Sequence, residues 1–104
     1  MSRSLSVAFS PEAEQDLLDL YTFIADRSGE ERALSYVERI EGHCLTFGTI
    51  PERGTCRNDL RSGLRVTGFE RRVTIAFHIT GDSLVIDRIL YGGRSLDLAI
   101  DPEI

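Results

Sequence analysis

Eight of the chain's twelve basic residues fall between Arg53 and Arg94, every one is arginine, and the 104-residue chain contains no lysine. Arginine keeps its charge at any ordinary pH and presents a planar fork to carboxylates and phosphates. Near Arg65, Arg71, Arg72, Arg88 and Arg94 stand two further groups able to move protons, His78 and Tyr91. Metal-free cleavage of RNA needs one group to take a proton from a 2′-hydroxyl, a second to protonate the leaving oxygen, and cations on the phosphate. Arg72, His78, Arg88 and Tyr91 are the residues that such a reaction would draw on. The set is poor in proton-transfer groups, because arginine, with a pKa above about 12, is a weak acid and no useful base. A lone histidine on a strand more often serves structure than chemistry. A tyrosine beside Gly92-Gly93 packs readily over bare backbone. No residue is therefore assigned a catalytic role.

The remaining chemistry-bearing residues form no familiar constellation. Cys44 and Cys56 have no metal-ligand spacing with each other or with His43 and His78, and in a reducing cytosol they read as two free thiols. No glycine-rich loop joins a strand to a helix, so no nucleotide cradle is expected, and no metal or cofactor is called for. His43 reads as a boundary residue beside the apolar stripe of a helix.

Charge is distributed unevenly. Through Glu52 the chain has four arginines against ten acidic residues, whereas the eight arginines from Arg53 to Arg94 face only Asp59, Glu70, Asp82 and Asp87. The formal net charge is −5. An acidic half and a locally basic half imply two different surfaces, and the acidic total argues against a free nucleic-acid binder. The arginines have two readings. They form a solvated sheet face paired with Glu70, Asp82 and Asp87, or they form a surface for an acidic partner, which is the reading adopted. Arg71, Arg72 and Arg88 are expected to cluster across neighbouring strands, with Arg27 outside the surface. Leu18 and Phe23 lie off the apolar stripe of the first helix and Tyr21 at its margin, a second candidate contact.

The elements that carry these residues are legible from periodicity. Leu5, Val7 and Phe9 alternate with Ser6 and Ala8, a short strand. Ser10-Pro11-Glu12 supplies an N-cap, a proline at the first helical position and early negative charge. Ala13, Leu17, Leu20, Tyr21 and Ile24 then make one buried stripe, with Glu14, Asp16 and Asp19 off it. This helix is expected to stop near Arg27. Ser28-Gly29-Glu30-Glu31 fits a capping box for a second helix, whose stripe is Ala33, Val37, Ile40, Cys44 and Phe47. Gly48 is expected as its C-cap, and Pro51 prevents a restart. Two helices so closely joined must form an antiparallel hairpin.

Beyond them the chain to Gly63 reads as polar loop. Leu64 to Phe69, Val73 to Ile79 and Leu84 to Leu90 read as strands, with a hairpin turn at Thr80-Gly81-Asp82-Ser83. The last strand is apolar on both faces except at Asp87 and Arg88, which places it centrally. The expected architecture is α+β, in the order β-α-α-β-β-β: one domain over residues 1–104, its helical hairpin packed on a largely antiparallel sheet. No apolar run is long enough to span a bilayer, and the N-terminus lacks an apolar signal core, so a cytoplasmic protein is expected.

Five stretches in this order resemble the RelE/ParE superfamily of toxins from type II toxin–antitoxin modules. They are Phe9-Ser10-Pro11-Glu12-Ala13-Glu14, Ile50-Pro51-Glu52-Arg53-Gly54, Leu60-Arg61-Ser62-Gly63-Leu64-Arg65, Val73-Thr74-Ile75-Ala76-Phe77 and Arg88-Ile89-Leu90-Tyr91-Gly92-Gly93-Arg94. The likeness covers Val7 to Arg94 and is nearest to the ParE branch. It implies a bacterial toxin that inhibits DNA gyrase and is neutralised in a hetero-oligomer with a ParD-type antitoxin, without stable DNA binding of its own. The partner-binding residues would be Leu18, Tyr21, Phe23, Arg65, Arg71, Arg72, Arg88 and Arg94. Charge reversal at Arg72 or Arg88 is expected to weaken antitoxin binding more than reversal at Arg27. The RelE branch instead cuts messenger RNA in the ribosomal A site, commonly with lysines that are lacking here. The remaining alternative is a non-toxic member that only binds antitoxin.

Overall fold

A computed structural model of the chain describes residues 4–93 and 96–100. Strand β1 (Ser6–Phe9) leads into helices α1 (Pro11–Ser28) and α2 (Glu30–Leu45), and a short 3-10 turn covers Thr46–Gly48. Strands β2 (Thr55–Cys56), β3 (Arg65–Phe69), β4 (Val73–Thr80) and β5 (Ser83–Tyr91) follow, then a single helical turn α3 (Leu96–Ala99). The five strands form one sheet in the order β1-β5-β4-β3-β2. β1 runs parallel to β5, while every other pair is antiparallel. The expected order holds, with β2 as a short addition inside the stretch read as loop. Two residues are too few to show a period of two.

The hairpin forms as its stripes require. Ser10 caps α1, its Oγ accepting from Ala13 N at 3.0 Å. The connection departs from the expected capping box. Ser28 is the last residue of α1, and Gly29 alone ends one helix and starts the next, with no side-chain cap. Its φ of +95° lets the chain reverse within one residue, a conformation costly for any residue with a Cβ. Gly48 also does a different job from the one expected. Helix α2 stops at Leu45, and Gly48 lies against β1's approach, its carbonyl accepting from Leu5 N at 2.9 Å. A Cβ at Gly48 would collide with the Leu5 carbonyl oxygen.

One face of the sheet packs under the hairpin. Ala13, Leu17, Leu20, Ile40, Cys44 and Phe47 from the helical side meet Val73, Ile75, Phe77, Leu84, Ile86 and Ile89 from the strands. Burial pushes the Cys44 thiol up to about 12, so it behaves as a small apolar side chain. The other face carries a smaller cluster of Leu64, Ala76 and Ile100. Both cysteines are free. No helix among the described residues is long and apolar enough to cross a membrane.

β5, expected to be central, has strands on both sides only over its first half, and α1 completes the rest of its edge. β1 pairs only with Ser83 to Ile86, so the rest of that β5 edge lacks a strand neighbour. Ser10 N donates to Ile86 O at 2.9 Å and Ser10 Oγ to Asp87 O at 2.9 Å. Asp16 then accepts from Ile89 N at 2.8 Å. Asp16 was expected among the off-stripe acids with Glu14 and Asp19. It is instead 5% exposed, the one buried charged residue among those described. A helical wheel shows the side of the helix but not a partner 73 residues away.

Candidate functional site

Arg88 is the other half of that arrangement. It donates to Asp16 through Nε at 2.8 Å and Nη2 at 2.9 Å, a two-pronged pair, and its Nη1 donates to Ala99 O at 2.9 Å. With its partner's side chain only 3% exposed, this guanidinium holds α1, β5 and α3 together. Arg65 is similarly engaged. It donates to Arg53 O at 2.9 Å and Glu52 O at 2.7 Å and contacts Cys56 Sγ at 3.0 Å, which fastens the segment before β2. The expected cluster of Arg71, Arg72 and Arg88 does not form. Arg72 and Arg88 line different grooves, and Arg71 is exposed on the β3–β4 turn. Arg94 lies outside the described residues.

His78 occupies the face away from the hairpin. Its Nδ1 lies 2.7 Å from Asp87 Oδ2, and Arg61 Nη2 reaches the same oxygen at 2.8 Å. This cluster ties the loop before β3 to the sheet. Tyr91 pairs with Val73 at one end of β4, whereas His78 lies five residues further along that strand. At roughly 3.3 Å per residue that is about 16 Å, too far for one proton relay. The residues weighed for RNA cleavage are thus divided between the two faces of the sheet. No group of three or more His, Cys, Asp or Glu side chains among the described residues could hold a metal ion.

What the fold does assemble is a groove of about 560 Å3 between the free end of the hairpin and the β3–β4 turn. Its floor is aromatic. Tyr91 from β5 meets Phe23 of α1 at 5.8 Å and Tyr36 of α2 edge-on at 6.2 Å, and Tyr36 continues to Phe69 at 6.4 Å. Guanidiniums lie over this floor, Arg27 at 3.8 Å from the Phe23 ring and Arg39 at 5.1 Å from the Tyr36 ring. Helical spacing makes both pairs, four residues apart in the first and three in the second. Arg32 and Arg72 line the same groove, as do Glu31 and Glu70. Burial first, and then the nearby Tyr91 and Glu70, raise the Tyr36 pKa, so its hydroxyl stays a donor.

The β3–β4 turn is the irregular wall of this groove. Glu70 and Arg71 have φ of +48° and +66°, the only non-glycine residues described with positive φ. That conformation costs roughly 1–2 kcal/mol per residue and persists only where neighbours enforce it. Arg39 reaches across from α2 to Glu70, and Arg72 O accepts from Gly92 N at 2.8 Å. Of the expected contact residues, Phe23 and Arg72 meet here. Leu18 is 58% exposed on the outside of α1, and Tyr21 is half-buried. Arg27, expected apart from the sheet arginines, lines the same groove as Arg72. Tyr36, Arg39 and Glu70 line the groove as well, and of these contacts only the Tyr36/Arg39 and Phe23/Arg27 spacings are readable in the sequence.

The family model described as "ParE toxin of type II toxin-antitoxin system, parDE" matches residues 7–96. The chain belongs to this family. Among solved structures it is similar to one titled "Chromosomal ParDE TA system from P. aeruginosa". The two are 24% identical over 86% of this chain and 97% of the other, with a TM-score of 0.75. It is also similar to the RelBE2 toxin–antitoxin complex from Mycobacterium tuberculosis, at 16% identity over 88% and 95% of the two chains and a TM-score of 0.64. At these identities the structures speak to the fold. No curated protein matches at the sequence level. This ParE-family chain therefore has the toxin fold, an internal Asp16–Arg88 tie and an open arginine-lined groove.

Proposed function

We propose that this ParE-family toxin acts by binding another protein, DNA gyrase, and that a ParD-type antitoxin encoded beside it neutralises it by direct contact. The observation that carries the reading is the groove: exposed guanidiniums fixed over aromatic rings, a surface suited to recognition of a protein partner. The family assignment and the titles of the similar structures, both toxin–antitoxin systems, support an antitoxin as one partner. The contact surface we assign consists of Phe23, Arg27, Arg39 and Arg72; Leu18 and Tyr21 do not line it. Arg88 and Arg65 leave that surface because their donors are spent inside the chain. Arg27 accordingly ceases to be a neutral control.

A supercoiling assay with purified protein tests the target. Loss of gyrase activity, restored by added antitoxin, is the expected result; unchanged supercoiling at saturating protein would remove gyrase from the reading. A second reading, ribosome-dependent cleavage of messenger RNA, draws on the Asp87–His78 pair, a carboxylate beside an imidazole. Primer extension on translated messages that shows A-site cuts would establish it in place of the first.

A further inference from the structure

The groove already contains a model of the ligand it would recognise. Arg39 Nη1 donates to Glu70, so one exposed fork is occupied by a carboxylate of the chain itself. The two side chains are 51% and 42% exposed, and ion pairs at such exposure are weak and exchangeable. Glu70 is presented from the turn with φ +48°, which sets its carboxylate against α2. Arg27, over the Phe23 ring with its Nη1 donating to Phe23 O at 3.4 Å, and Arg72 leave further donors in the same groove. A stacked guanidinium loses little freedom on binding, because the ring fixes the plane in which its N–H groups point.

We propose that this groove receives an aspartate or glutamate of the antitoxin, flanked by an apolar side chain that lies on the aromatic floor. Glu70 is then a resident competitor, which the incoming carboxylate displaces from Arg39. The inference rests on the antitoxin reading above and adds to it the chemistry of the contact. Charge complementarity favours a protein carboxylate over a nucleic acid. Four arginines outnumber Glu31 and Glu70 in the groove, but the hairpin around it carries exposed acids and the chain totals −5, which repels a polyanion.

Calorimetric titration of the full chain with the antitoxin encoded beside it tests the inference. Arg39→Gln and Arg72→Gln are each expected to weaken binding by about tenfold. Glu70→Gln is expected to tighten binding by about threefold, because it frees Arg39 of its competitor. Glu38→Gln, which removes an equal charge from α2 outside the groove, is expected to leave affinity unchanged. Melting curves establish that each variant is folded. Tight binding by the wild-type chain with no loss at Arg39 and Arg72 would overturn the groove inference while the antitoxin reading stands. Unchanged or weaker binding by Glu70→Gln would overturn the displacement. Absence of any antitoxin binding by the wild-type chain would overturn the underlying reading. Binding of a single-stranded RNA oligonucleotide with the same arginine dependence would replace the protein carboxylate by phosphate.

Discussion

Arg88 and Arg72 lie within one hairpin of each other in sequence and do opposite things. Arg88 is enclosed with Asp16, and its guanidinium donates to both Asp16 carboxylate oxygens and to Ala99 O. Arg72 is exposed, in a groove with aromatic rings and three other arginines. The difference lies in what the backbone requires nearby. β5 has an edge without a strand neighbour, so a carboxylate is brought in to accept Ile89 N, and that buried charge needs a cation. No such need exists at the β3–β4 turn, and its arginines remain available to an external anion. One residue type thus serves as internal strut or external receptor according to the backbone it neighbours.

The most forceful way to break this comparison is to truncate both. Arg88→Ala leaves Asp16 buried without its cation and is expected to destabilise the fold by about 3–5 kcal/mol. Arg72→Ala is expected to change stability by less than about 0.5 kcal/mol. Urea denaturation measures both, and equal losses would erase the distinction. Ser10→Ala probes the same edge from another residue. It removes a helix cap and the bond to Asp87 O, with an expected cost of about 1–2 kcal/mol.

The receptor side can be sharpened at its turn. Arg71→Gly relieves a left-handed backbone conformation and is expected to raise stability by about 0.5–1 kcal/mol. A loss of stability there would show that the Arg71 side chain makes a contact worth more than the strain.

The smallest expected effect concerns acid. Burial first, then Arg53, lower the pKa of His43, so the unfolded chain binds a proton at His43 more readily than the folded one. The resulting stability is complete above the ordinary histidine value of about 6.5 and declines as pH falls below it. His43→Phe is expected to flatten this acid-side slope in melting temperature measured against pH. An unchanged slope would assign the effect to other groups.

Legibility followed the range of the interactions. The helix start at Ser10-Pro11, both apolar stripes and the β4–β5 hairpin were readable because each depends on residues a few positions apart. Gly29 and Gly48 read as helix punctuation in the sequence, but their duties depend on a one-residue reversal and on the approach of Leu5. The site was legible only in part. Phe23 and Arg72 stand out from the sequence, whereas Tyr36 and Glu70 count only once α2 meets the β3–β4 turn.

By itself, the sequence determined the element order, the two-layer architecture and a surplus of arginine in the sheet half, since local periodicity and composition suffice for each. Only the tertiary structure decided which arginines are structural. That decision depends on Asp16 lying 72 residues from Arg88 and on Arg39 lying 31 from Glu70. Pairings at that range leave no periodic trace in a single chain, because each is made by the fold that brings the partners together.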